Sequence, residues 1–163
     1  MQKAAVLSLA LALSSAACTG TAGFDFIEVH GALADGTGVS GHNLASTARV
    51  PSLFPALGTV VAVGAPFMGP EDLAGFRIEW QEANVAAGAS YPSDPNGPVV
   101  FYVSRAVPDG GTMNQEASVV NGGMITFNTV GSKFTGAFAG LVLSRDGQTI
   151  ITIDNGLFQA TRP

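Results

Sequence analysis

The chain has 163 residues, enough for one domain with a core of its own. Seven Lys and Arg stand against twelve Asp and Glu, a formal charge of −5, which sets aside nucleic acid and anionic headgroups as partners because both need concentrated positive charge. Charged residues make up only 12% of the chain, yet a hydrophobic content of 47% sets aside a chain that stays unfolded.

The N-terminus opens with Met1-Gln2-Lys3 and runs into AAVLSLALAL, Ala4 to Leu13, apolar except for Ser8. SSAAC follows and ends on Cys18, the only cysteine. A basic start, an apolar core of about 7–15 residues and a small-residue exit form the pattern of a secretory signal peptide. A spanning helix needs about 20 apolar residues, and the TGTAG after Cys18 is a poor helix former.

This end resembles the signal of bacterial lipoproteins, whose lipobox closes on a cysteine that is lipidated and becomes the new N-terminus. Ala16, Ala17 and Cys18 match its last three places, while Ser15 stands where the family usually carries an aliphatic residue. The resemblance implies a lipid anchor at Cys18, a membrane partner through that lipid, and the cell envelope as address. Ser15-Ala16-Ala17 also fits an ordinary small-x-small cleavage site, which would give a free periplasmic or secreted protein. Either way residues 1–17 are a signal peptide, 18–23 a flexible tether, and 24–163 a single β domain. A single cysteine forms no internal disulfide, and acylation would remove a reactive thiol.

The richest polar stretch is FDFIEVHGALADGTGVSGH, Phe24 to His42. It reads as a strand with His30 exposed, then a glycine-rich loop carrying His42. His30, His42 and Asp35 are the metal candidates, since two imidazoles and a carboxylate suit zinc. Their spacing of twelve between the histidines matches no helical or hairpin ligand pattern, so no metal and no cofactor is assigned. DGTG, Asp35 to Gly38, differs from the Asp-Thr-Gly of aspartic proteases by an intervening glycine. GVSGH, Gly38 to His42, resembles a nucleophile elbow but carries His42 in the fifth place, and the elbow needs a strand before it and a helix after it. Ser40 and His42, two apart on a strand, would share a face, but an orienting acid and an oxyanion hole are unplaced. No catalytic residue is assigned.

Further along, Thr59 to Val63 reads as a strand, and GPEDLAGF as the start of a single helical turn with Pro70 at its first position. FRIEWQ alternates: Phe76, Ile78 and Trp80 on one side, Arg77, Glu79 and Gln81 on the other, which predicts a strand with one wet face. DPNG, Asp94 to Gly97, is a turn. VVFYVSR, Val99 to Arg105, is apolar on both sides and so predicts a central strand. Asp94, Asn96 and Asp109 belong to turns for backbone reasons rather than to a calcium loop. Trp80, Tyr91, Phe101 and Tyr102 read as core rather than as a ligand groove.

The C-terminal third reads as a meander. Ile125 and Phe127 share a face, Gly131-Ser132 suits a two-residue II′ hairpin turn, and Phe134 and Phe138 flank Gly136, where a ring crosses the backbone or a bulge forms. RDGQ turns the chain again, and Asn155-Gly156 is a tight turn or a bulge before LFQA. Gly136-Ala137-Phe138 and Asn155-Gly156-Leu157-Phe158 resemble the closing strands of small β-rich bacterial lipoproteins of unknown function, over roughly a quarter of the chain. That likeness implies a β fold and an envelope address, and brings no catalytic residues.

Short strands with evenly spaced turn signals predict an all-β domain: an antiparallel sandwich or flattened barrel of eight to nine strands. The functional expectation is a non-enzymatic, envelope-anchored module with a binding or structural role. Two alternatives stand beside it: a barrel carrying an apolar small ligand in its interior, and a hydrolase or metalloenzyme using His30 and His42.

Overall fold

Between glycine and proline breaks the apolar residues recur at every second position, and these stretches form strands. The computed structural model describes residues 24–52, 57–66, 73–109, 112–119, 122–145 and 147–163. Among them are eleven strands: β1 Phe26–Leu33, β2 Gly38–Leu44, β3 Ser46–Pro51, β4 Thr59–Pro66, β5 Leu73–Trp80, β6 Ser90–Ser93, β7 Val99–Asp109, β8 Thr112–Val119, β9 Gly122–Thr129, β10 Lys133–Arg145 and β11 Gln148–Thr161. The helical pieces among the described residues are 3-10: a turn at Glu82–Asn84 and the single residue Leu57. The lipid-anchor cysteine, Cys18, and the start of the helical turn expected at Pro70 lie outside the described residues, while the Leu73–Phe76 end of that stretch is strand, the beginning of β5.

The strands form two sheets, ordered β2-β1-β11-β10-β9-β6 and β3-β4-β5-β7-β8, with antiparallel neighbours throughout. The inner faces meet in one core, so the architecture is a β-sandwich rather than a closed barrel. The strand count exceeds the expected eight to nine, because β2 falls where a glycine-rich loop was expected and β3 and β8 carry few apolar residues. Trp80 of one sheet fills the centre, with the rings of Phe127, Phe134 and Phe158 of the other at 5.4, 5.0 and 5.9 Å. Phe101 and Phe138 meet across the sandwich at 5.1 Å.

The longest strands stay amphipathic by switching phase. Phe134 and Phe138 point inward on β10, and so do Leu141 and Leu143, at the opposite parity. On β11 the same switch separates Ile151 and Ile153 from Phe158 and Ala160. Both switches occur at one level, where Gly140 has φ 67° and β11 carries one residue more than β1 between the partners of His30 and Gly31. The extra residue is Asp154, so Asn155-Gly156 follows a bulge within one strand and is not a turn.

Two local expectations are corrected. The β9–β10 hairpin forms, but Val130–Ser132 connects it and Gly131 is not among the positive-φ glycines, so the two-residue II′ turn is absent. Phe76, Ile78 and Trp80 are buried as the alternation requires, but the opposite face of β5 is not wet: Glu79 is 0% exposed. Ser52 and Leu57, at the two ends of the β3–β4 connection, cover it. Leu57 packs with Val60, Val100 and Tyr102, and Val50 joins them, in a second small core outside the sheet. β7, by contrast, is the central strand its sequence predicts, buried on both faces from Val99 to Val103.

Asp25 ties the sandwich together at one end. Its carboxylate accepts bonds from the Thr47 hydroxyl on β3 at 2.5 Å and from the Thr161 amide and hydroxyl on β11, both at 2.7 Å. Its carbonyl accepts the Ala45 amide at 2.9 Å, where the chain passes from one sheet to the other.

Candidate functional site

Three polar or open places stand out, and the first is the β1–β2 hairpin. The chain reverses at Ala34–Thr37, with Gly36 at φ 84° and the Asp35 carboxylate accepting the Thr37 amide at 2.8 Å. That bond, with the Thr37 hydroxyl adding to it, holds the Asp35 carboxyl below its ordinary range. Asp35 is thus a turn-forming residue, three register pairs or more beyond His30.

The reversal fixes the cross-strand partners. Glu28 lies opposite His42, and His30 opposite Ser40. Side chains two apart on a strand, and those directly opposite, share a face. Glu28, His30, Ser40 and His42 therefore stand together on the outer face of the six-stranded sheet. His30 Nε2 donates to Glu28 Oε1 at 2.8 Å, and His42 Nδ1 lies 3.8 Å from Glu28 Oε2. The imidazoles are half-exposed, and the His42 ring stacks on Phe26 at 5.0 Å. His42 is on a strand, not in the expected loop. The structure brings His30 and His42 together and leaves Asp35 apart; their common partner is Glu28. The missed signal was arithmetic: a reversal centred on Asp35 pairs positions 28 and 42. Among the described residues, no group of three or more His, Cys, Asp or Glu is placed, as the side chains stand, to hold a metal ion.

The second place lies on the same sheet face. A shallow trough of about 600 Å³ runs across β9, β10 and β11, floored by Ala137, Ala139 and Gly156 and bounded by Met124, Thr126, Asn155 and Leu157. Met124 and Leu157 are large apolar side chains left open to water, at 45% and 36% exposure. The trough exists because the residues between the inward Phe134, Phe138 and Phe158 are small or short where β10 crosses the middle of the sheet.

The third place is the buried carboxylate of Glu79. The Ser52 hydroxyl donates to Oε2 at 2.5 Å, the Tyr102 hydroxyl to Oε1 at 3.0 Å, and Arg77 Nη2 lies 3.0 Å from Oε1. The Arg77 guanidinium also lies 5.7 Å from the centre of the Tyr102 ring. Burial pushes the Tyr102 phenol well above its ordinary value; Arg77 opposes the shift and the Glu79 charge adds to it. Every donor here holds the carboxylate in place, so the cluster secures the β3–β4 connection rather than presenting a reactive group.

The other candidates from the sequence are structural. Asp94 accepts the Asn96 amide at 2.8 Å in the turn before β7, and Asp109 closes β7 opposite Thr112. Trp80 and Phe101 are core, Tyr102 packs beneath Leu57, and the Tyr91 ring lies edge-on to Phe127 at 6.0 Å. No helix among the described residues is long and apolar enough to cross a membrane. Comparison with protein-family models, curated proteins and solved structures found no match to this chain.

Proposed function

We propose that this chain is a non-enzymatic binding module of the bacterial cell envelope, held to a membrane by a lipid on Cys18, with the open face of the six-stranded sheet as its ligand surface. The observation that carries the reading is the difference between the two outer faces. The outer face of the five-stranded sheet is covered by its own chain around Leu57, down to a fully buried Glu79, and is open only beside Ala48, Ala62 and Arg77 and beside Thr59 and Gln81 among the described residues. The six-stranded sheet keeps an uncovered strip of alanine, glycine, methionine and leucine. A trough of that size and lining suits an uncharged ligand with an apolar body. The interior carrier is less favoured, because Trp80 and six phenylalanines occupy the space between the sheets.

The address rests on the SSAAC sequence before the domain. β1 begins at Phe26, so a lipid at Cys18 would keep the domain within about 28 Å of the bilayer, the span of eight extended residues. Phe24 and Leu44, the two most exposed large apolar residues described, lie at that same end of the sandwich, where Phe26 pairs with Leu44. They would face the lipid surface.

The hydrolase alternative finds a grouping but no cradle. Ser40 shares a face with both imidazoles, yet the backbone amides beside it lie in the plane of the sheet. An oxyanion needs donors aimed at a point above the nucleophile.

Mass spectrometry of the protein extracted from bacterial membranes tests the anchor. The expected result is a mature N-terminus at Cys18 carrying acyl mass. A mature chain without acyl mass, recovered from the soluble fraction, would replace the anchored module with a free periplasmic or secreted one.

A further inference from the structure

We propose that Glu28, His30 and His42 form a three-ligand site for an imidazole-preferring divalent cation, zinc or copper, on the outer face of the β1–β2 hairpin. The inference is independent of the trough. It stands on register and on ligand chemistry.

Register comes first. Glu28 and His42 are direct partners, and His30 follows Glu28 by two on the same strand. The three side chains rise from adjacent positions of one sheet face. Each oxygen of the Glu28 carboxylate already faces one imidazole nitrogen, at 2.8 Å from His30 and 3.8 Å from His42. Two bonds of about 2.0–2.2 Å to one tetrahedral metal place their donor atoms roughly 3.3 Å apart. The two contacts run to different carboxylate oxygens, so one ion would take both oxygens as donors or draw one of them toward both imidazoles. Closing the set takes side-chain rotation, and both imidazoles have room for it, at 47% and 56% exposure. The backbone beneath them is fixed by pairing to β11 on one side and within the hairpin on the other.

Chemistry comes second. Two neutral imidazoles and a carboxylate are the donor set that zinc and copper take and that calcium and magnesium do not favour. Binding at His30 Nε2 would move the ring proton that Nε2 now donates to Glu28 over to Nδ1, and acid should weaken binding because protons compete with the metal for imidazole nitrogens. The fourth position would point to water, since nothing in the described chain covers this face above the hairpin. A bound ion would also fasten β2, an edge strand, to β1 through side chains as well as backbone.

The chain contains two histidines, and both are in this cluster. Imidazole ¹⁵N resonances of the full chain therefore report on the site without interference. Titration with zinc chloride, and separately with copper sulfate, should perturb both imidazoles and saturate at one equivalent for at least one of the metals. His30→Ala and His42→Ala should each weaken binding by at least about tenfold, the loss that even outer-shell partners cause. Glu28→Gln should weaken it while Cys18→Ser leaves it unchanged. Trp80 fluorescence confirms that each variant is folded. Imidazole signals that both metals leave unmoved at saturation would overturn the proposal. So would affinity retained in the His30→Ala/His42→Ala double variant, or affinity that depends on Cys18 alone.

Discussion

The ring of Phe158 lies where a β-carbon on Gly136 would be, and the two residues are direct partners across β10 and β11. Two positions on, the relation is reversed: Phe138 lies over Gly156. The Gly-Ala-Phe of β10 and the Gly-Leu-Phe of β11 run antiparallel, so each glycine meets the other strand's phenylalanine and the middle residues, Ala137 and Leu157, meet on the outside. One three-residue pattern, used twice, both fills the core and floors the trough.

This packing leaves no room for a methyl group. A β-carbon on Gly136 meets the Phe158 ring and the Thr126 carbonyl, and one on Gly156 meets the Phe138 ring and the Glu28 carbonyl. Gly136→Ala and Gly156→Ala should each destabilise the fold by about 1–3 kcal/mol, the usual result of overpacking a core. Urea unfolding followed by Trp80, the only tryptophan, gives the value. Combining Gly136→Ala with Phe158→Leu should show coupling of at least about 0.5 kcal/mol, because the smaller side chain vacates part of the contested space. Strict additivity would mean that the ring and the glycine do not constrain each other.

The Glu79 cluster predicts a specific response to alkali. Burial raises the Tyr102 phenol above the ordinary value of 10.0. The unfolded chain then ionises at this residue first as pH rises. Stability from Tyr102 is whole below pH 10 and is lost above it, by up to about 1.4 kcal/mol per pH unit. Tyr102→Phe should flatten that alkaline decline relative to the native chain. Glu79→Ala, measured at pH 7, should cost on the order of 2–4 kcal/mol, since it removes a buried acceptor for two hydroxyls and an arginine.

The sandwich was legible because its core is written with period two. Phe76-Ile78-Trp80 and Ile125-Phe127 announce their buried face, and Val99 to Val103 announces a strand buried on both. Glu79 was illegible for a matching reason. Alternation reports which residues share a side, but not whether another segment covers that side. A lone carboxylate among polar neighbours looks solvated until Ser52 and Leu57 are placed above it. The Glu28–His30–His42 grouping was hidden differently. Each residue alone reads as a surface position, and only the exact reversal at Asp35 sets 28 against 42. The phase switches of β10 and β11 also escaped a simple alternation count, because one bulge moves every later side chain to the other face.

Asp25 should be worth more than its partly exposed position suggests. Its side chain and carbonyl bond to β3, β11 and the crossing at Ala45. Asp25→Ala removes three side-chain bonds that join the two sheets at one end. The expected loss is about 1–3 kcal/mol, at the upper range for bonds to a charged group. Hydrogen exchange should show faster opening of the Thr161 amide than of the Phe158 amide, because the damage is confined to the strand end. Uniform acceleration along β11 would mean that Asp25 holds the whole strand rather than its terminus.

The trough reading makes the last prediction. Ala139 pairs with Met124 on one side and Asn155 on the other, and it is exposed on the open face. Ala139→Glu would place a carboxylate in the apolar strip without touching the core. Stability should change by no more than about 0.5 kcal/mol, as for most surface substitutions. Binding of an uncharged apolar fluorophore to the native chain should weaken at least about tenfold in the variant, or ~1.4 kcal/mol. Thr149→Glu, an exposed substitution near the β10–β11 turn and outside the trough, serves as the control and should leave binding unchanged. Equal loss in both variants would point to net charge rather than the trough, and no binding to the native chain would remove the trough as a ligand surface.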